Sequence, residues 1–128
     1  MPTQRQQRLG ELLREEISTI LRGEVRDPRL GFVTLTEVQV SPDITEAIVY
    51  ASVLGSPAEQ DATMAALESA AGFIRAELSK VLRLRRVPHL QFRLDRSIER
   101  AVRIAELLEK AKQEDAGGSH GGGDSEGD

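Results

Sequence analysis

The sequence of 128 residues contains no cysteine and no tryptophan, and it has only three phenylalanines and one tyrosine. Without cysteine, neither disulfide bonds nor thiolate metal sites can form, which suits a reducing cytosol. Scarce aromatic side chains argue against the stacking platforms that many single-strand-binding modules use. No segment approaches the run of about 20 apolar residues that a membrane helix needs, and the amino terminus lacks the apolar core of a signal peptide. We therefore expect a cytoplasmic, single-domain protein.

Residues that could form a catalytic or cofactor site are equally scarce. Of the two histidines, His120 lies in a glycine-rich tail, and His89 follows a proline, where a surface loop residue is the simpler interpretation. The sequence has no phosphate-binding glycine loop, no dinucleotide fingerprint and no HExxH zinc motif. Asp27, Asp43 and Asp95 lie in turns or at a strand end, where aspartate usually accepts backbone hydrogen bonds. We predict no enzyme activity, no cofactor and no metal site.

The formal net charge is −4, but the charges are segregated along the chain. Residues 73–103 contain nine basic and three acidic residues, whereas the segments on either side are acidic. Such patterning indicates partners better than the sum of the charges does. If the segment 69–88, SAAGFIRAELSKVLRLRRVP, is helical, its polar face is almost entirely basic and consists of Arg75, Ser79, Lys80, Arg83 and Arg86. Taken alone, this pattern fits a solvated helix face as well as a nucleic-acid surface.

The amino-terminal half is predicted to form a helix followed by a β-hairpin. Apolar residues within 9–21 recur every three or four positions, as in an amphipathic helix, and Gly23 marks its end. A strand over 32–40 changes its alternation near Glu37, as a β-bulge requires. A short turn separates it from an alternating strand over 45–53, so the two strands form an antiparallel hairpin.

The carboxyl-terminal half is predicted to contain helix, strand and helix. Ser56 begins a helix with capping-box spacing, and its apolar stripe continues through Gly72 until the helical run ends at 87–88. Because glycine costs about 1 kcal/mol in a helix interior, either one helix bends at Gly72 or two helices meet there. Alternation over 90–95 predicts a strand, and Ser97 can cap a short last helix.

These elements predict one α+β domain over residues 1–114, with the helices on one face of a three-stranded sheet. All three phenylalanines lie in apolar patterns and are expected in the core: Phe32, Phe73 and Phe92. Residues 115–128 form a glycine-rich, acidic tail that has nothing to bury and is expected to be disordered. With the aromatic side chains buried, any RNA contact should be mainly to phosphate groups.

Four motifs are specific in combination: DPR at 27–29, TLTEVQVSPD at 34–43, GFIR at 72–75 and LRLRRVPHLQFRLDRS at 82–97. With them, the chain resembles the bacterial ribosome-binding factor A family over residues 5–108. The resemblance implies a type II KH-like domain of order α-β-β-α-α-β that lacks the GxxG phosphate loop of typical KH domains. It also implies an Ala-x-Gly kink between two central helices, which falls on Ala70, Ala71 and Gly72.

The resemblance implies a function as well. Members of the family bind the small ribosomal subunit late in its assembly, contact its RNA near the neck and decoding region, and act in maturation of 16S rRNA. A subunit-assembly GTPase is implied as the factor that releases them. We therefore predict a monomer that binds the immature small (30S) subunit and its 16S rRNA, with no membrane partner and no small-molecule substrate.

Seven basic residues are the predicted RNA contacts: Arg75, Lys80, Arg83, Arg85, Arg86, Arg93 and Arg96. If the helix face proves to be merely solvated, Arg5, Arg8 and Arg93 are the next candidates. The alternative function is a protein-interaction adaptor that uses the sheet edge or the kinked groove and does not bind RNA.

Overall fold

The fold consists of helices and strands in the predicted order, as seen in a computed structural model that describes residues 1–117 and the side chains of residues 1–114. The elements are α1 (Gln4–Gly23), β1 (Phe32–Val40), β2 (Glu46–Leu54), α2 (Pro57–Val81), β3 (His89–Leu94) and α3 (Ser97–Gly117). This order confirms the α+β class and the KH-like arrangement. Residues Met1–Asp95 form one compact unit, and a second unit, which contains α3, begins at Arg96.

Capping boxes begin both helices of the first unit. At α2, the Ser56 hydroxyl accepts from the Glu59 N–H at 3.2 Å, and the Glu59 carboxylate accepts from the Ser56 N–H at 2.8 Å. This confirms the predicted start of α2. Thr3 and Gln6 form the same reciprocal pair at α1, which the sequence analysis did not predict. Each box satisfies two of the backbone donors that a helix start leaves without intrahelical partners.

The strands form one mixed sheet in the order β1-β2-β3. β1 and β2 are antiparallel, and their register shifts between Leu35 and Glu37. This shift is the predicted bulge; it inserts Thr36 and so leaves both Leu35 and Val38 buried under the helices despite their odd spacing. β2 and β3 are parallel. Because parallel strands cannot be joined by a tight turn, α2 and the loop after it form the crossover connection.

The core lies between one face of the sheet and the helices α1 and α2. Its largest fully buried apolar side chains come from both helices and the central strand: Leu13, Ile17, Leu67, Ile74, Leu78 and Val49. They belong to one contiguous cluster that also includes residues of β1 and β3. Burial of each such side chain contributes roughly 1.5–3 kcal/mol. The prediction that the helices cover one face of the sheet is therefore confirmed for α1 and α2.

The core prediction for the phenylalanines is correct only for Phe92, which is 8% exposed. Phe32 is 81% exposed and Phe73 is 44% exposed, so their assignment to the core was wrong. In β1 the side chains alternate, and because Val33 and Leu35 face the helices, their neighbour Phe32 must face the other way. Phe73 lies beside the buried stripe of α2 rather than on it.

The second unit contains a longer helix than the sequence predicts. α3 runs for 21 residues to Gly117, so the first residues of the predicted tail continue the helix. Its large apolar side chains are half or more exposed: Ile98, Val102, Ile104, Leu107 and Leu108. The rest of the predicted tail, 118–128, lies outside the described residues. No helix in the described part of the chain is long and apolar enough to cross a membrane.

The α1 backbone lies directly against β1 at Gly10. A Cβ atom at this position would overlap the Val38 carbonyl oxygen and lie 3.4 Å from its carbonyl carbon. One turn earlier, the buried Gln6 side chain donates from Nε2 to the Val40 carbonyl at 2.8 Å. Only glycine permits such a close approach of two backbones. The position of α1 over this edge strand therefore depends on Gly10.

We expect Gly10→Ala to lower the free energy of unfolding by about 1–3 kcal/mol, because the new methyl group forces α1 away from Val38. In an open helix position the same substitution is stabilising, since alanine is the better helix former. The sign of the change, measured by urea denaturation, is therefore informative. A Gly10→Ala protein as stable as the wild type would show that α1 does not approach β1 this closely.

The loop before β1 is attached to α2 and contains an ion pair. The Arg29 guanidinium donates to both carboxylate oxygens of Asp27, with a shortest distance of 2.7 Å. The buried Thr63 hydroxyl of α2 donates to the Arg29 carbonyl at 3.1 Å and accepts from the Gly31 N–H at 3.3 Å. Hydrogen bonds from the Arg29 side chain, and then from its backbone N–H, lower the pKa of Asp27 to about 2.

This shift predicts a specific acid dependence for the Asp27→Asn variant. Because the folded-state pKa lies below the ordinary value of 3.8, the unfolded chain binds the carboxyl proton more readily, and acid favours unfolding. The wild type should exceed Asp27→Asn in stability above about pH 4, and this advantage should disappear as the pH falls from 3.8 to about 2. Urea denaturation of both proteins across this range tests the pair. A difference that does not change with pH would contradict it.

Candidate nucleic-acid interface

The basic segment after α2 is a loop rather than the end of a helix. α2 ends at Val81, and Leu82 has extended backbone angles of φ −104° and ψ 135°. The prediction that the helix continues to 87–88 was therefore wrong. We call residues 82–88, LRLRRVP, the basic loop. Its first four residues alternate between leucine and arginine, and this period of two favours extended backbone over a helix.

Apolar side chains attach the basic loop to the body of the protein. Leu82 and Leu84 are partly buried, Val87 is 9% exposed and Pro88 is fully buried. The arginines between them are all exposed: Arg83, Arg85 and Arg86. Among the described residues, none of these three arginines has a hydrogen-bond or ion-pair partner. The loop therefore presents three arginine side chains from a backbone that is fixed on its other side.

Arg75 occupies a different environment from these arginines. It is partly buried in α2, and its guanidinium donates from Nε to the Pro88 carbonyl at 3.0 Å and from Nη2 to the Val87 carbonyl at 2.9 Å. These two bonds connect the helix to the far end of the basic loop. The structure thus gives Arg75 a contact within the protein that the sequence did not indicate, and its phosphate contact stays a prediction.

The other predicted RNA contacts are exposed but are engaged with neighbours. Lys80 forms an ion pair with Glu77 at 2.9 Å, and Arg93 donates to the Gln91 side chain at 3.2 Å. In the second unit, Arg96 lies 3.6 Å from Glu99. Exposed pairs of this kind are worth at most about 1 kcal/mol, so a phosphate group could replace the present partners. The three loop arginines therefore differ from these residues, because no partner among the described residues has to leave before a phosphate group binds them.

The predicted kink motif lies within an uninterrupted helix. Of the two arrangements that the sequence left open at Gly72, the structure has one continuous α2. Ala70 and Ala71 pack against the core, whereas Gly72 is exposed, and a Cβ atom there would meet nothing within 4 Å. No close contact among the described residues requires glycine at this position.

The chemistry that the site can perform is electrostatic. In the described part of the chain, no group of three or more His, Cys, Asp or Glu side chains could hold a metal ion. The His89 side chain is exposed at the start of β3, and the His89 backbone N–H donates to the Thr45 carbonyl at 2.9 Å. Guanidinium groups such as those of the basic loop bind phosphate oxygens with two parallel hydrogen bonds.

Comparison with known proteins identifies the family of this chain. The model of the ribosome-binding factor A family matches residues 5–108. The chain belongs to the ribosome-binding factor A family. The ribosome-binding factor A of Thermomicrobium roseum is 51% identical over 114 residues, which cover 89% of this chain and 88% of the relative. The protein of the same name from Desulfitobacterium hafniense is 47% identical over 123 residues, covering 94% and 98%.

Solved structures of similar proteins have the same fold. A solution structure from Thermotoga maritima has a TM-score of 0.67 and 38% identity and covers 77% of this chain and 94% of its own. The crystal structure of ribosome-binding factor A from Thermus thermophilus has a TM-score of 0.65 and 26% identity, with coverage of 72% and 97%. A homology model of that Thermus factor, fitted into a cryo-electron microscopy map of a 30S complex, has a TM-score of 0.55 and 28% identity and covers 75% of this chain and 97% of its own.

The open space around Gly72 predicts that an alanine at this position stabilises the protein. Gly72→Ala should raise the free energy of unfolding by about 0.4–1 kcal/mol, because alanine restricts the unfolded chain and meets no clash in the helix. Urea denaturation measures the change, and Gly10→Ala provides the matched control of opposite sign. A destabilised Gly72→Ala protein would indicate that a bend with close contacts does exist at the predicted kink.

Proposed function

We propose that this protein binds the immature small ribosomal subunit through phosphate groups of its 16S rRNA and assists late maturation of that RNA. The observation that supports the proposal is the basic loop, with three exposed and unpaired arginines on an anchored backbone. The complex that the Thermus relative forms with 30S supports the same partner. The protein acts by binding, without a cofactor and without a catalytic step.

Phosphate is the RNA group that this surface suits best. The loop arginines provide positive charge and planar donors, which contact the backbone of an RNA without reading its bases. The chain has no tryptophan, its sole tyrosine lies at the centre of β2, and the exposed Phe32 and Phe73 lie outside the basic loop. Base stacking at the loop therefore contributes little to binding, and affinity there arises mainly from the release of counterions. Recognition of one subunit over others then depends on the shape of the RNA around the loop.

Resemblance to the family supports three further features: the location, the oligomeric state and the releasing factor. We infer a cytoplasmic monomer that leaves the maturing subunit when a subunit-assembly GTPase acts there. A factor that recognises an assembly intermediate must dissociate once the RNA around it reaches its mature form. Bidentate contacts between arginine and phosphate suit this requirement, because their parallel hydrogen bonds depend on geometry and a small shift of the RNA backbone breaks several of them together.

The double variant Arg83→Glu, Arg86→Glu tests the proposed function. Each phosphate contact contributes about 0.7–0.9 to the slope of log affinity against log salt, so three loop arginines imply a slope of about −2 to −3. The double variant should reduce the magnitude of this slope by about 1.5 and abolish co-sedimentation with immature subunits at moderate salt. Its circular-dichroism spectrum and unfolding midpoint should remain those of the wild type, because the replaced side chains are exposed.

The matched control is Arg22→Glu, Arg26→Glu, which changes the net charge equally at two exposed arginines, one in α1 and one in the segment between α1 and β1. Arg22 lines a groove beside Phe32, and Phe32 pairs with Leu54 at one end of the sheet. The basic loop leads into β3 at His89, which pairs with Glu46 at the opposite end. The control should retain binding and most of the salt dependence. If the loop variant still binds with an unchanged salt slope, the loop is merely solvated.

The adaptor function remains the second candidate because of one apolar feature. Phe32 and Leu54 are register partners at the end of the β1-β2 hairpin, and they are 81% and 77% exposed. Contiguous exposed apolar surface is where many protein contacts form. If Phe32→Ser, Leu54→Ser abolishes subunit binding while the loop variant does not, the protein binds the subunit as an adaptor.

A further inference from the structure

Arg75 differs from the other predicted RNA contacts because its donors already have backbone carbonyls of two buried residues as acceptors. Its Nε and Nη2 atoms donate to the carbonyls of Pro88 and Val87 at 3.0 and 2.9 Å. These are consecutive residues at the carboxyl end of the basic loop, and both are buried. Arg75 itself is partly buried. Its donor fork is thus directed into the protein rather than toward an external phosphate.

The two carbonyls need a donor from outside the loop. A carbonyl in a buried segment that has no hydrogen-bond partner is costly, so nearly all of them are paired in native proteins. A turn would satisfy these carbonyls with the N–H groups three residues later, those of Leu90 and Gln91, but both residues belong to the extended strand β3, so no turn forms there. The guanidinium of Arg75 satisfies both with one rigid side chain. The loop backbone therefore depends on a residue about two helical turns before the loop begins.

We propose that Arg75 is a positioning residue for RNA binding: it holds the basic loop in the conformation that presents Arg83, Arg85 and Arg86, and it does not contact RNA itself. The inference rests on the proposed function and specifies how the site is built. Without the bonds from Arg75, the loop still carries three positive charges, but they are no longer held in one arrangement. Ordering the loop on the RNA then costs conformational entropy that the wild type has already lost on folding.

Lysine cannot replace arginine in this role. A lysine ammonium is a point charge on a flexible stem, whereas the guanidinium fork can donate in parallel to two neighbouring carbonyls. At a direct phosphate contact, by contrast, Arg75→Lys would keep the charge and most of the binding. Arg75→Lys and Arg75→Gln therefore separate positioning from direct contact.

The test is the affinity of these variants for purified immature small subunits at low salt, where weakened binding can still be measured. We expect Arg75→Lys and Arg75→Gln to weaken binding alike, by about tenfold. In a background that carries Arg83→Ala, Arg85→Ala and Arg86→Ala, the same Arg75 substitutions should change affinity by less than about twofold, because nothing remains to be positioned. The unfolding midpoint of each variant reports whether the fold is retained.

A second measurement follows the loop directly. Trypsin cleaves after arginine, so the cleavage rate at Arg83, Arg85 and Arg86 reports how often the loop opens. In both Arg75 variants this rate should rise while the unfolding midpoint changes little. This readout does not depend on RNA. Failure of the wild type to bind subunits would refute the proposed function, and the cleavage rates would still decide whether Arg75 orders the loop.

Two results would overturn the inference. The first is wild-type affinity and a wild-type cleavage rate for Arg75→Lys, which would show that the loop does not need the bonds to Val87 and Pro88. The second is an equal loss of affinity from Arg75→Gln in the wild-type and loop-alanine backgrounds, with a salt slope lower in magnitude by about 0.7–0.9. That outcome would make Arg75 an independent phosphate contact.

Discussion

Two hydrogen bonds from one arginine connect the fold of this protein to its charged surface. β2 and β3 are parallel, so the chain must cross the sheet through α2 and return through the basic loop. Arg75 is the residue of α2 that holds the end of this return path, at the carbonyls of Val87 and Pro88. The conformation of the basic loop, and so the arrangement of its exposed arginines, depends on how the end of that path is fixed.

Charge segregation allows an acidic chain to bind RNA in the way that we propose. The net charge is −4, yet the block 73–103 is strongly basic and the three unpaired loop arginines belong to it. At physiological ionic strength, charges farther apart than about 8 Å are largely screened from one another. A phosphate group at the loop therefore interacts with nearby arginines far more than with distant carboxylates. The acidic remainder reduces non-specific attraction to other nucleic acids.

Local patterns in the sequence predicted most of the elements but not the conformation of the site. The bulge at Thr36 and the cap at Ser56 could be predicted because each depends on a few neighbouring residues. The end of α2 differs from the prediction because arginine and leucine are good helix formers, although the leucine–arginine alternation after Val81 favours extended backbone. The contacts of Arg75 could not be predicted, since they are to carbonyls that only the folded chain brings close.

Side-chain burial and backbone contacts show the same difference between local and tertiary information. The alternation of β1 contains the information that Phe32 faces away from the helices, but its apolar character favoured the core. The contact of Gly10 with Val38 joins two elements with no local signal, and a glycine within a helix suggests only a weak point. Sequence patterns thus identify which faces are apolar, whereas the structure shows which backbones approach and which charges remain unpaired.

The central claim is that the basic loop contacts RNA on the immature small subunit. The most direct measurement places a photo-crosslinking amino acid at Arg85, irradiates the complex with immature subunits, and identifies the attached molecule. We predict attachment to 16S rRNA at one short region, and little attachment when the same group replaces Arg22 at the opposite end of the sheet. Attachment from position 85 only to a ribosomal protein, or equal attachment from both positions, would contradict this account.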